Sequence, residues 1–389
     1  MRTKLSIART AVIAGFMAAA SMPLTVLEAA PGGGKVVVAN RASGTISVIS
    51  TKTDNVATVQ LPPGDNTPEP MYVFYSPIQN RVFVGDRAND RVVALDAQTF
   101  AVDGMAAAGA GVFHMWGSRA TGELWVNNDI DNSTSVIDMR TLETVAVIPT
   151  PADLVAMGGK PHDVIVDPQG FYGYITVINV AGPGDYVVQV DARTYEVVSR
   201  AIVGDDPHVS LSTGKPNLYV AAQGSDVVNV LDRESLAVVA DIAVPGAHGV
   251  GMRVNGRFLY TTNLPDGGTD ALWVIDTSTN TVVGDPVDAP YSVPHNIAVT
   301  PNGGKIYVTH SGANDKVSVY RPEGSSPVPS LVGDITVGSH PFGIAYLPES
   351  SADRAAGRSI GCPPLFEGAR TGRFDNRGSS SGDHLRRSW

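Results

Sequence analysis

The chain has 389 residues, of which 41 are glycine, 27 are proline and only 17% are charged, a balance suited to a turn-rich all-β protein and poorly suited to a helical one. Formal net charge is −10, and setting aside residues 1–30 and 350–389 leaves 18 basic against 33 acidic residues, or −15. So acidic a body excludes nucleic acid and anionic lipid as partners and favours cations.

The N-terminus reads as a secretion signal over residues 1–30. Arg2 and Lys4 supply a positive start, Ala11 to Ala20 is an apolar run too short to anchor in a bilayer, and Ala29 and Ala30 offer small-residue cleavage points. No twin-arginine pair precedes the run, which favours general secretion into a periplasm or the medium, with no membrane span after cleavage. Cys362 is the one cysteine, so an internal disulfide, a four-cysteine zinc site and a Cys-x-x-Cys-His haem attachment are all excluded.

From residue 35 onward one alternating strand recurs, beginning at Thr45, Arg91, Ser133, Tyr186, Asp226, Ala271 and Lys316, with starts 46, 42, 53, 40, 45 and 45 residues apart. Four strands and their turns fill that length, which is the period of a propeller blade, and seven copies predict seven blades. Each copy follows a second apolar strand across a loop rich in Asn, Asp, Ser and Gly, as hairpins require. Each is followed by a threonine-rich turn and an outer edge strand, as in Asp276 to Gly284.

The segments Ile306-Tyr307-Val308-Thr309-His310 and Leu218-Tyr219-Val220-Ala221-Ala222, each leading into a loop and a Val-x-Val-like strand, resemble the YVTN family of β-propeller repeats. The resemblance covers about residues 35–347 and implies a propeller fold without fixing a function, because that family is functionally mixed.

The chain enters at Lys35 on a second strand and ends its pattern on a first strand, Phe342 to Pro348. Joining the two completes one blade from both termini and removes the open seam. A seven-bladed all-β propeller over residues 31–349 is expected, followed by a disordered tail over 350–389 where Arg, Ser and Gly dominate. Trp116, Trp125 and Trp273 fall on strands and are expected between blades.

Lining up the entrances of the first strands places Met71, His114, His162, His208, His248, His295 and Phe342 in one column. First strands line the central channel, so residues about 45 apart in sequence become neighbours around one opening. His340 stands two positions before Phe342, and His310 ends a second strand on the same face. Neutral imidazoles converging in an acidic protein make a candidate site for copper or zinc, and the Met71 thioether would lean it towards copper. The plainer alternative is that each histidine bonds the neighbouring blade's backbone. Gly-x-Ser-x-Gly, a phosphate-binding loop and His-Glu-x-x-His are absent, and the acidic stretches at Asp86 and Asp129 lack a calcium loop's closing Glu.

The leading expectation is a binding protein for a transition metal or metal cofactor, in periplasmic metal handling or redox support. Two alternatives stand beside it. One is a propeller enzyme (a lactonase, a lyase or a metal-dependent oxidoreductase) using the same histidines. The other is a scaffold that binds a protein partner through its rim loops.

Overall fold

The computed structural model describes residues 33–211, 215–253, 256–264 and 271–348. The expected signal over 1–30 and tail over 350–389 lie outside these residues. Seven antiparallel sheets form a closed ring, a seven-bladed β-propeller.

Blades two to five run in simple chain order from the innermost strand outward. Their innermost strands are Pro70–Ser76, Val112–Gly117, Lys160–Val166 and Pro207–Leu211. Blade six starts at Ala247–Met252 and has its outer edge split into two short pieces; blade seven starts at Pro294–Val299. Blade one is built from both ends of the described chain. Its innermost strand, Pro341–Pro348, pairs with Gly34–Asn40, setting Val36 opposite Tyr346 and Val38 opposite Ile344. The closure read from the two incomplete ends of the repeat is therefore observed.

The core is divided among the interfaces. One apolar cluster lies between each pair of neighbouring blades, as where Val84 and Leu95 of blade two meet Val37 and Leu347 of blade one. Trp125 is fully buried between blades three and four, Trp116 packs against the blade-four cluster, and Trp273 lies partly buried against the blade five–six cluster. Alternation along each strand produces this pattern, because successive side chains face opposite neighbours.

The Asp that ends the third strand in blades two to five has a structural task. Asp96, Asp138, Asp191 and Asp232 each accept backbone N–H groups two and three residues on, which folds the turn into the outer strand. These donations hold the four carboxyls below the ordinary range.

The seam between blades seven and one carries a buried cation. Lys305 is 1% exposed, and its Nζ donates to Asp54 Oδ1 at 2.7 Å and to the Thr51 carbonyl at 2.9 Å. The fourth blade is preceded by a short helix, Ala152–Ala156, which accounts for the longer repeat there.

Candidate functional site at the channel mouth

Six of the seven innermost strands begin with a β-bulge, two residues set against one on the second strand. The bulge pairs are Met71 and Tyr72, Phe113 and His114, His162 and Asp163, His248 and Gly249, His295 and Asn296, and Phe342 and Gly343. Blade five has no bulge and presents His208 alone. The pairing register therefore puts Phe113, not His114, in line with His162. His114 belongs to a second tier with Tyr72, Asp163 and Asn296.

Residues in the second position of the bulge reach the next blade. Asp163 accepts the Val209 N–H at 2.9 Å, and Asn296 donates to the Phe342 carbonyl at 3.2 Å. Where the strands approach more closely only glycine fits. A Cβ at Gly249 would sit 1.5 Å from the His295 carbonyl oxygen, and one at Gly343 would sit 2.5 Å from that of Met71.

The first-position rings form a continuous stack around the mouth. Centroids are 5.2 Å apart from Phe113 to His162, 4.5 Å from His162 to His208 and 3.9 Å from His208 to His248. They are 4.4 Å apart from His248 to His295 and 4.3 Å from His295 to Phe342. His162 and His208 face each other Nε2 to Nε2 at 2.9 Å, as do His248 and His295. His114 enters from the second tier, its ring 4.7 Å from His162 and 5.2 Å from His208.

His114 is held at both nitrogens. Nδ1 lies 2.8 Å from Asp163 Oδ1, and a carboxylate accepts, so Nδ1 carries the hydrogen. Nε2 is then an acceptor and takes the Tyr72 hydroxyl at 2.8 Å. Asp163 orients the imidazole from Nδ1 as carboxylates commonly do behind metal-ligating histidines, and the Tyr72 hydroxyl occupies Nε2, the nitrogen a metal would use.

His114, His208, His248 and His295 are buried, and His162 is the partly exposed member, with Asp206 Oδ1 3.6 Å from its Nε2. Burial holds His114, His162, His248 and His295 well below the ordinary histidine value and brings His208 to about 3. Burial pushes the Asp163 carboxyl up, opposed by nearby His208 and the Val209 N–H. It also raises the Tyr72 phenol. The imidazoles are thus neutral, the form that binds a metal. His114, His162 and His208 each place a ligand nitrogen within 4.8 Å of the others, close enough to share one ion.

Beneath the rings lies a cavity of about 100 Å³ with a polar roof of Tyr72, His114, Asp163, His208 and Asn296 and walls that include Val73, Met115, Val209 and Ile297. On the rim, the Arg41 guanidinium lies 5.7 Å over Phe342 and pairs with Glu69, while Arg87 lies 5.5 Å over Phe113 and pairs with Asp129.

The other sequence candidates sit elsewhere. His310 is fully buried, takes the Ser318 hydroxyl at Nε2 and faces the Ser292 carbonyl with Nδ1. Asn40 and Asn128 bond Ser47 and Ser135 at the matching hairpin positions, so His310 braces a hairpin as those asparagines do. His340 adopts a left-handed backbone (φ 57°) at the rim, its ring 6.1 Å from Phe342. Met71 is fully buried, and the following residue, Tyr72, makes the polar contact to His114. Tyr72, Asp163 and Asn296 were not singled out from sequence. Aligning the strands on Val73, Met115, Val164, Val209 and Ile297 instead of on histidine would have found them.

No protein-family model matches the chain, and no curated protein matches its sequence. Solved structures do match. The periplasmic gluconolactonase of Pseudomonas aeruginosa is 16% identical, with a TM-score of 0.64 over 81% of this chain and 99% of that one. Hydrazine synthase of Kuenenia stuttgartiensis is 17% identical, with a TM-score of 0.61 over 74% of this chain and 95% of that one. A functionally unknown protein of Desulfotomaculum acetoxidans is 12% identical, with a TM-score of 0.67 over 82% and 100%. These likenesses establish the propeller fold. Among the described residues, no helix is long and apolar enough to cross a membrane.

Proposed function

We propose that this chain is an exported YVTN-like propeller enzyme that opens a cyclic ester at its channel mouth, with zinc or copper held by His114, His162 and His208. The observation that carries the reading is the trio of neutral imidazoles within 4.8 Å, one of them oriented by a carboxylate. Three nitrogen ligands leave a fourth position for water or substrate, as catalytic zinc sites do. The ion would supply Lewis acidity and lower the pKa of a bound water.

The chain's own groups would do the rest. Asp163 fixes the His114 tautomer with its lone pair on Nε2, the Tyr72 hydroxyl that now donates there would turn away to release it to the ion, and the stacked rings would shield the ion from bulk solvent. The fold shared with a periplasmic gluconolactonase supports the lactone class and, with the basic and apolar N-terminal segment, a periplasmic setting. Rim loops carrying Arg41 and Arg87 frame the entrance and remain the surface on which a protein partner would act.

The test is hydrolysis of glucono-δ-lactone by the mature protein after loading with zinc or copper. Turnover that disappears in His114→Ala and His162→Ala, with folding retained, is the expected result. Absence of turnover with either metal would remove the enzyme reading. Stoichiometric metal without turnover would leave the second reading, metal handling, which the burial of His114 and His208 favours.

A further inference from the structure

From Asn296, whose amide nitrogen lies 3.4 Å from the Tyr72 hydroxyl, runs a hydrogen-bond chain whose direction is fixed by one backbone carbonyl. Asn296 Nδ2 lies 3.2 Å from the Phe342 carbonyl, which can only accept, so this atom is the amide nitrogen and not the oxygen. The same nitrogen lies 2.6 Å from His295 Nδ1 and donates to it. An imidazole that accepts at Nδ1 carries its hydrogen on Nε2, so His295 Nε2 donates to His248 Nε2 at 2.9 Å. His248 in turn must carry its hydrogen on Nδ1. That nitrogen is buried, in a residue 4% exposed, and has no hydrogen-bond partner.

The adjoining ring, His208, is 3% exposed, and its Nε2 faces His162. The two rings are 3.9 Å apart. Folding leaves a buried donor unsatisfied only at a cost, and native interiors rarely do so. A metal could not use His248 Nδ1 in this state, because a nitrogen that bears hydrogen has no lone pair to give.

We propose that His248, with His208 beside it, is an acceptor-oxygen site that takes the acyl oxygen of the ligand, a carbonyl or a carboxylate, next to the metal trio. Its existence rests on the Asn296–His295–His248 chain alone; its role as the place where an ester carbonyl is polarised rests on the hydrolase reading. A neutral N–H donor preset in a water-poor site suits that task, because it needs no reorganisation when negative charge develops on oxygen.

The experiment is nitrogen NMR of ¹⁵N-histidine-labelled, metal-free full-length protein, titrated with sodium acetate and then sodium gluconate. Eight histidines in the whole chain keep the spectrum assignable. The expected result is an Nδ1–H tautomer at His248 and a saturable shift of that nitrogen with both carboxylates. Asn296→Asp offers His295 an acceptor in place of a donor, which reverses the chain, and should weaken carboxylate binding at least about tenfold. A hydrogen on Nε2 of His248 in the wild type would overturn the proposal, as would a correct tautomer that neither carboxylate shifts, since water alone would then be its partner. Carboxylate binding with no lactone turnover would leave this site standing and end the hydrolase reading alone.

Discussion

The seam between blades seven and one and the mouth of the channel both bury polar side chains, and they resolve the cost in opposite ways. At the seam, the Lys305 ammonium reaches both carboxylate oxygens of Asp54 and the Thr51 carbonyl, so its donors are used. At the mouth, five histidines are packed ring to ring and kept neutral, and His248 retains a buried nitrogen with no partner. A satisfied group specifies closure. An unsatisfied one lowers local stability, and at the mouth it is what the proposed ligand would satisfy.

Breaking the seam should have the largest effect. Ending the chain after Gly338 removes Pro341–Pro348, the strand that completes blade one, and should abolish cooperative unfolding followed by circular dichroism. Ending it after Ser350 should leave the transition in place. Asp54→Ala strands a buried ammonium and should cost about 3 kcal/mol in urea unfolding, the lower end for such a loss because the Asp54 side chain is 39% exposed.

The mouth should show its difference through pH. An unfolded histidine titrates at about 6.5, whereas burial depresses the folded values, His208 at the mouth to about 3 and, away from it, His310 to about 4. Below the unfolded value the unfolded chain binds more protons, so stability is full above it and falls with pH towards the folded values, by up to about 1.4 kcal/mol per pH unit for each such histidine. Asp163 and Asp185, both raised by burial, oppose this with two groups. Urea midpoints at successively lower pH should decline, and less steeply in His208→Phe than in the wild type. The smallest effect on folding belongs to His248→Phe. The phenyl ring removes the unpartnered His248 Nδ1–H but leaves the buried His295 Nε2–H without its acceptor, and because these two terms oppose each other neutral-pH stability should hold within about 1 kcal/mol while ligand binding is lost.

The period of the repeat made the fold legible, because a blade must bury both faces of its strands against its neighbours and the apolar alternation records that in every copy. The closing blade was legible in the two incomplete ends, Lys35 and Phe342. The histidine column was legible as a set of neighbours but not in its tiers. A bulge adds one residue to a strand without changing its apolar pattern, so histidine matched to histidine aligned His114 with residues of the other tier. His310 and Asn40 do the same work with different side chains, an equivalence that depends on the hairpin partners Ser318 and Ser47 and not on residue type. The buried seam cation was invisible because Lys305 and Asp54 are 251 residues apart.

The central claim is that His114, His162 and His208 act together on one ion. Its most direct test is the metal content of the mature protein, purified without a histidine tag and measured by elemental mass spectrometry beside a folded His162→Ala/His208→Ala variant. One zinc or copper per wild-type chain, lost in the variant, is the result predicted. Equal metal in both proteins, or none in either after incubation with zinc and copper, would contradict it.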